Sequence, residues 1–285
     1  MSMLKRKFGW TDLETAIIGQ GTWMIEDGSD FESRAVQVLR LGMDLGMTHI
    51  DTAEMYGHGH TEELVAEAIA GRRDEVFLAS KVLPSNASYE GTLRACQRSL
   101  KRLKTEWLDL YLLHWPGSHP IGETMRAMEK LVAEGLVRLI GVSNFDVEEL
   151  KAAEQALHNE QMACNQVLYH LGYRGVERRI IPYCTDRGIA VVGYAPFGHR
   201  NFPSASSIGG RILSEIAKRH GRTPRQVALN FLTRHPCTFT IPKTTHLERV
   251  KENAGGVGWQ LTEYDCTAIE HAFPMSNQDS PLEMI

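Results

Sequence analysis

Eight short apolar runs recur along the chain, at 16–19, 48–51, 75–80, 108–114, 139–143, 163–167, 189–195 and 238–242, and a helical pattern follows each. The runs are nearly continuous in apolar character rather than alternating, which is how strands covered on both faces of a parallel sheet read. Helix start signals stand between them. Ser33 opens a pattern that places Val36, Leu39, Leu41 and Met43 roughly on one side and closes at Gly46. Thr61 begins another, with Glu62 and Glu63 in the first turn, where the helix dipole favours acids. Asp146 with Glu149 reads as a capping box, and Thr223-Pro224 as a cap followed by proline at the first helical position. Eight strand–helix units predict an α/β fold, a (β/α)8 TIM barrel with its active site at the C-terminal ends of the strands. An open doubly wound sheet fits less well, because GQGTWM at 19–24 lacks the third glycine of a dinucleotide fingerprint and leads into no helix. No linker rich in Pro, Gly or Ser divides the 285 residues, so one domain over 1–285 is expected, with a loose loop at 198–210.

Composition narrows the function classes. A net charge of −4 with no basic cluster argues against a nucleic-acid surface. No apolar run approaches the roughly 18 residues of a membrane helix, and MSMLKRKFGW leads into no apolar segment of a secretory signal. Five scattered cysteines, none in a Cys-x-x-Cys pair, suit reduced thiols, so a cytoplasmic protein is expected.

In such a barrel the polar residues that end the strands converge on one mouth. Here these are Asp51 with Tyr56 beyond it, Ser80-Lys81, His114-Trp115, Ser143-Asn144, Asn165-Gln166, Tyr194 and Lys243-Thr244. A tyrosine alone, with a pKa near 10, is a poor acid at neutral pH. A neighbouring ammonium stabilises the phenolate, and a carboxylate behind the ammonium keeps it charged. A lowering of about two units corresponds to roughly 2.7 kcal/mol. Tyr56, Lys81 and Asp51 sit on adjacent strand ends and make that triangle feasible, while His114 could hold a carbonyl oxygen or relay the proton. A site of this kind protonates a carbonyl oxygen while a hydride cofactor supplies the electron pair to carbon. His58 and His60 invite a metal reading, but no Asp/His set on later strands completes a shell, and a helix-entry loop is the better reading; no metal is expected. KRLK at 101–104 and ERR at 177–179 read as solvated helix faces.

Three stretches carry a resemblance: HIDTAEMYGHGHTEELVAEAI from His49, ETMRAMEKLVAEGLVRLIGVSNF at 123–145 and IPKTTHLERVKEN at 241–253. In order and spacing they resemble the three signatures of the aldo-keto reductase superfamily, and the similarity runs nearly the length of the chain. The resemblance implies a catalytic tetrad of Asp51, Tyr56, Lys81 and His114, with Tyr56 as the general acid. It implies that Ser143, Asn144 and Gln166 hold the nicotinamide carboxamide and that Tyr194 stacks on the ring. It implies that Lys243, Thr244 and Arg249 receive the 2′-phosphate, that Asn253 lies at the adenine, and that Gly21, Thr22 and Trp23 lie near the cofactor. Trp23 and Trp115, with Tyr56 and His114, would line the substrate pocket. The cofactor expected is NADPH/NADP+, because two cations facing a dianionic phosphate make charge-assisted bonds that NADH cannot. Two departures stand out. Ala195 replaces a serine the family often uses for the pyrophosphate, and the short polar tail SNQDSPLEMI predicts a more open pocket.

The expected activity is reduction of aldehydes or ketones, by a monomer acting on a small-molecule carbonyl substrate. An NADPH-binding redox sensor or slow-turnover subunit on the same barrel is the alternative. A barrel hydrolase or isomerase would need two opposed acids at the strand ends, and only Asp51 is well placed.

Overall fold

The computed structural model describes residues 3–25, 31–199, 201–275 and 282–285. Strands β1 (Lys5–Lys7) and β2 (Glu14–Ala16) form an antiparallel hairpin. Eight more strands make one parallel sheet: β3 (Gln20–Gly21), β4 (His49–Asp51), β5 (Phe77–Val82), β6 (Leu108–Leu113), β7 (Val137–Ser143), β8 (Cys164–Leu168), β9 (Ala190–Tyr194) and β10 (Thr238–Ile241). Each pairs with its sequence neighbour. The sheet closes on itself through a parallel bridge between Ile18 and Thr240, with Gly19 N donating to Thr240 O at 2.8 Å and Gly21 N to Pro242 O at 3.2 Å. This is a (β/α)8 barrel.

Helices α1 (Phe31–Asp44), α2 (His60–Ala68), α3 (Tyr89–Leu103), α4 (Ile121–Ala133), α5 (Val147–Gln155) and α6 (Ile180–Arg187) each follow one strand. Two helices, α7 (Ile208–His220) and α8 (Pro224–Leu232), intervene between β9 and β10; α9 (Leu247–Ala254) and α10 (Glu263–Ala272) come last. The capping box of Asp146 and Glu149 forms as expected, and Thr223 caps α8 in a second box with Gln226.

Some boundaries differ from expectation. The run at 16–19 is divided: Ala16 belongs to the hairpin, and the barrel strand begins at Gln20. Helix α1 starts at Phe31 rather than Ser33, and α2 starts at His60 with left-handed Gly59 as its cap rather than at Thr61. The third run shifts to Phe77–Val82, which puts Lys81 inside the strand. The hairpin itself has no long apolar run, and what anchors it is Phe8, wholly buried against Phe77 and Phe239 at ring separations of 4.8 and 5.1 Å. It plugs the barrel end from which the strands start.

The core has two layers set by the two-residue period of a strand. Ala79, Leu110, Leu112, Leu139, Cys164, Val192 and Phe239 fill the barrel interior with Phe8. The intervening residues, such as Ile50, Leu78, Tyr111, Ile140, Val167 and Val191, face the helices. At the interior, small residues make room: a Cβ on Gly19 would come within 2.5 Å of His49 O, and one on Gly141 within 2.5 Å of Cys164 O.

Candidate active site

Continuing each interior series by one step of two residues leads to the barrel mouth. From Ala79 it reaches Lys81, from Leu112 it reaches His114, and from Cys164 it reaches Gln166. His49, Gly141, Val192 and Ile241 lead in the same way to Asp51, Ser143, Tyr194 and Lys243. The pleat that buries the core therefore aims these side chains at one place.

Lys81 is wholly buried, and an ammonium has three protons to place. They go to Asp51 Oδ1 at 2.5 Å, Thr52 O at 2.9 Å and Tyr56 Oη at 3.4 Å. Burial alone would lower the pKa of the amine. The adjoining Asp51 carboxylate and Tyr56 hydroxyl outweigh it and raise its pKa above the ordinary lysine value. The other oxygen of Asp51 accepts from Gln166 Nε2 at 2.7 Å, and its backbone oxygen accepts from Thr22 Oγ1 at 2.9 Å. A buried ion pair is tolerable when its remaining hydrogen-bonding capacity is met in this way.

Tyr56 opens a 3-10 turn, Tyr56–Gly59, in which His58 as well as Gly57 takes left-handed backbone. The turn is tied down by an acid of the first turn of α2. Glu62 is wholly buried, accepts from Ser80 Oγ at 2.6 Å and pairs with Arg102 at Nε, 2.6 Å. Arg102 is thus no solvated residue of a KRLK face, as the sequence suggested; it reaches across Gly59, where a Cβ would meet its side chain at 2.7 Å. The ERR reading holds for Arg178 and Arg179, which are exposed, but not for Glu177, whose side chain is covered and pairs with Arg174 and Arg234, each at 2.7 Å. Charge spacing on a helix or turn does not reveal which residues a neighbouring element will cover.

His114 packs edge-on to the Tyr56 ring at 5.7 Å and beside Trp115 at 4.8 Å. Burial, reinforced by the Lys81 charge, pushes its protonation down to about 2, so the imidazole is neutral across the physiological range. Its Nδ1 is buried with no partner among the described residues. Ser143 Oγ donates to Gln166 O at 2.9 Å, Asn144 Nδ2 to His114 O at 3.1 Å, and Tyr194 Oη to Asn144 Oδ1 at 2.9 Å.

These groups line a cleft of about 770 Å³. Of the residues singled out from sequence, Gly21, Trp23, Asp51, Tyr56, His114, Trp115, Ser143, Asn144, Gln166, Tyr194, Lys243 and Arg249 border it. Lys81 lies just behind Asp51 and Tyr56. Thr22, Thr244 and Asn253 do not border it: Thr22 and Asn253 are buried, and the Thr244 hydroxyl accepts from His246 N at 3.1 Å. Other lining residues escaped the sequence reading, among them Phe197, Phe202, Arg225, Met284 and Ile285. The end of the short tail reaches the pocket. Residues 276–281 of that tail, and Arg200 of the 198–210 loop, lie outside the described residues; Met284 and Ile285 form part of the wall, and Glu283 N donates to Tyr173 Oη at 2.7 Å. Nothing in the sequence of a tail says where it lies. Among the described residues no group of three or more His, Cys, Asp or Glu could hold a metal; His60 instead meets Glu63 at 3.1 Å and Glu32 at 3.3 Å.

The lining fits a dinucleotide in kind: an aromatic ring at Tyr194, hydrogen-bonding groups at Ser143 and Asn144, the cations Lys243 and Arg249, and at His114 Nδ1 a buried polar atom with no partner among the described residues.

Comparison with known proteins agrees. The model of the aldo/keto reductase family matches residues 17–273. A methylglyoxal reductase of Escherichia coli is 39% identical over 274 residues, 96% of each chain, and a glyoxal reductase of Bacillus subtilis is 32% identical over 258 residues, 90% of this chain and 89% of that one. A crystal structure of an aldo-keto reductase from Klebsiella pneumoniae in complex with NADPH superposes with a TM-score of 0.92 at 39% identity, covering all of both chains. The chain accordingly belongs to the aldo/keto reductase family, as an NADP-dependent oxidoreductase on a (β/α)8 barrel.

Proposed function

We propose that Tyr56 is the proton donor in reduction of the carbonyl of small aldehydes and ketones, 2-oxoaldehydes such as methylglyoxal foremost. The observation that carries this reading is the wholly buried Lys81 ammonium, one of whose three acceptors is the Tyr56 hydroxyl. Bound NADPH supplies the hydride to the carbonyl carbon. The chain's own residues manage the oxygen. An ammonium beside a phenol stabilises the phenolate that proton donation leaves, and Asp51 holds that ammonium in place. His114, neutral at physiological pH, is unsuited to be the acid itself and instead offers a hydrogen bond that orients the carbonyl oxygen. Ser143, Asn144 and Gln166 orient the nicotinamide, Tyr194 stacks on it, and Lys243 and Arg249 receive the 2′-phosphate. Trp23, Trp115, Met284 and Ile285 shape the substrate space.

The chain is read as one domain, a cytoplasmic monomer acting on small molecules rather than on nucleic acid or at a membrane. Five cysteines, none in a disulfide, support the compartment, and no described helix is long and apolar enough to cross a membrane.

The test is NADPH oxidation with methylglyoxal and a panel of aldehydes. Tyr56→Phe is expected to lower turnover by about 10²–10⁴-fold, the usual size of general-acid catalysis, with NADPH affinity unchanged. Equal rates for the two proteins would remove Tyr56 from the role.

A further inference from the structure

Arg225 stands in the first turn of α8, immediately after Pro224. Burial lowers the pKa of Arg225 most, the Glu252 carboxylate raises it, and the positive charge of Arg249 lies close enough to lower it in turn; the helix N-terminus adds partial positive charge of its own. Its guanidinium lies over the rings of Phe197 and Phe202 at 4.6 and 4.7 Å, and the two rings meet each other edge-on at 5.6 Å. Stacking engages the faces of a guanidinium and leaves the N–H donors around its rim. No hydrogen bond or salt bridge takes up those donors among the described residues. Arg225, Phe197 and Phe202 border the same cleft as Lys243 and Arg249.

A planar donor packed against two aromatic rings, with its N–H rim untaken among the described residues and facing the cleft that Lys243 and Arg249 border, is a site that can take an anion. We propose that Arg225, clamped by Phe197 and Phe202, is a third cation for the 2′-phosphate of NADPH and helps set the preference for NADPH over NADH. The proposal rests on the cofactor assignment above but is separable from it. The 2′-phosphate is favoured over the pyrophosphate because Arg249, the neighbour whose charge Arg225 feels, belongs to the pair already assigned to that group. The rings do more than fill space: they fix the fork of donors before the ligand arrives, which reduces the ordering cost on binding.

The experiment measures dissociation constants of NADPH, NADH, 2′,5′-ADP and 5′-AMP by protein fluorescence and calorimetry, without turnover. Arg225→Ala is expected to weaken NADPH and 2′,5′-ADP about tenfold, as loss of one charge-assisted hydrogen-bonding partner does. NADH and 5′-AMP should be unchanged, which also certifies the fold of the variant. The salt dependence of NADPH affinity should become shallower. Arg225→Lys keeps the charge but not the planar stack and should recover only part of the loss. The double variant Phe197→Ala, Phe202→Ala should weaken NADPH selectively, by less than Arg225→Ala. A wild-type preference that Arg225→Ala retains would overturn the assignment of Arg225 alone. Equal loss for NADPH and NADH would overturn the 2′-phosphate in favour of a group common to both. A wild-type protein with no preference would overturn the cofactor assignment and this proposal together.

Discussion

Replacing Lys81 with methionine removes the cation while nearly keeping the length of the side chain. Lys81 is wholly buried and Asp51 is 2% exposed, so the variant leaves a buried carboxylate whose remaining side-chain donor is Gln166. At 2.5 Å and an effective dielectric of about 20, the attraction within the pair is roughly 6–7 kcal/mol. Withdrawing each ion from water costs several kcal/mol in the other direction, so the pair contributes little net stability. Stranding one partner is different and costs about 3–5 kcal/mol. Lys81→Met and Asp51→Asn are therefore each expected to lose about that much, and the double variant to lose far less than the sum. With a urea slope of order 3 kcal/mol/M, each single variant should unfold about 1–1.7 M earlier, measured by circular dichroism with the slope unchanged. All three variants should lose carbonyl reduction. An unshifted midpoint for Lys81→Met, or a double variant that simply adds the two losses, would refute the reasoning.

Glu62→Gln should leave NADPH affinity intact but lower turnover and stability together, because Arg102 and Ser80 lose the carboxylate that ties the Tyr56 turn to β5; a variant with unchanged turnover would make Glu62 purely structural. His49 is wholly buried, both ring nitrogens lack a partner among the described residues, and burial pushes its protonation down to about 4, with that of His114 at about 2. Both are neutral in the fold while the unfolded chain takes up protons below about pH 6.5, so their contribution to stability is lost as pH falls from there, at up to about 1.4 kcal/mol per pH unit each. Urea midpoints between pH 7 and 4.5 should fall less steeply in His49→Leu than in the wild type, and parallel curves would contradict the assignment.

The fold and much of the site were legible in the sequence for one reason. Strands buried on both faces are apolar throughout, so the eight runs stand out, and polar residues at their ends break the pattern where the barrel opens. Asp51, Lys81, His114, Gln166 and Tyr194 could be found that way. What could not be read depends on neighbours distant in sequence. Glu62 and Arg102 look like surface charges until α3 is laid against α2. The Asp51–Gln166 bond joins residues 115 positions apart, and no local pattern encodes it. Phe197, Phe202 and Arg225 belong to a loop and a helix terminus whose meeting only the closed barrel brings about.

Backbone strain marks the same mouth. Five described residues other than glycine have left-handed φ: Met24, His58, Lys104, Asn144 and Ala195. Lys104 is an ordinary helix terminus. Met24, Asn144 and Ala195 border the cleft, and His58 lies in the turn that begins with Tyr56. For residues with a side chain this conformation costs about 1–2 kcal/mol, except that asparagine tolerates it better. Ala195, with φ +49°, immediately follows Tyr194 and turns the chain out of β9, its oxygen accepting from Gly198 N at 2.8 Å. Relieving it with glycine removes the steric penalty but adds about 0.5–1 kcal/mol of unfolded-chain freedom. The net expectation for Ala195→Gly is unchanged stability or a gain of up to about 1.5 kcal/mol. Catalytic efficiency should nevertheless drop, because the alanine restricts the backbone that holds the Tyr194 ring against Asn144. Denaturation midpoints and steady-state kinetics on the same preparation decide it. A clear loss of stability would show that the left-handed turn carries no strain, and unaltered kinetics would show that its rigidity has no part in holding Tyr194.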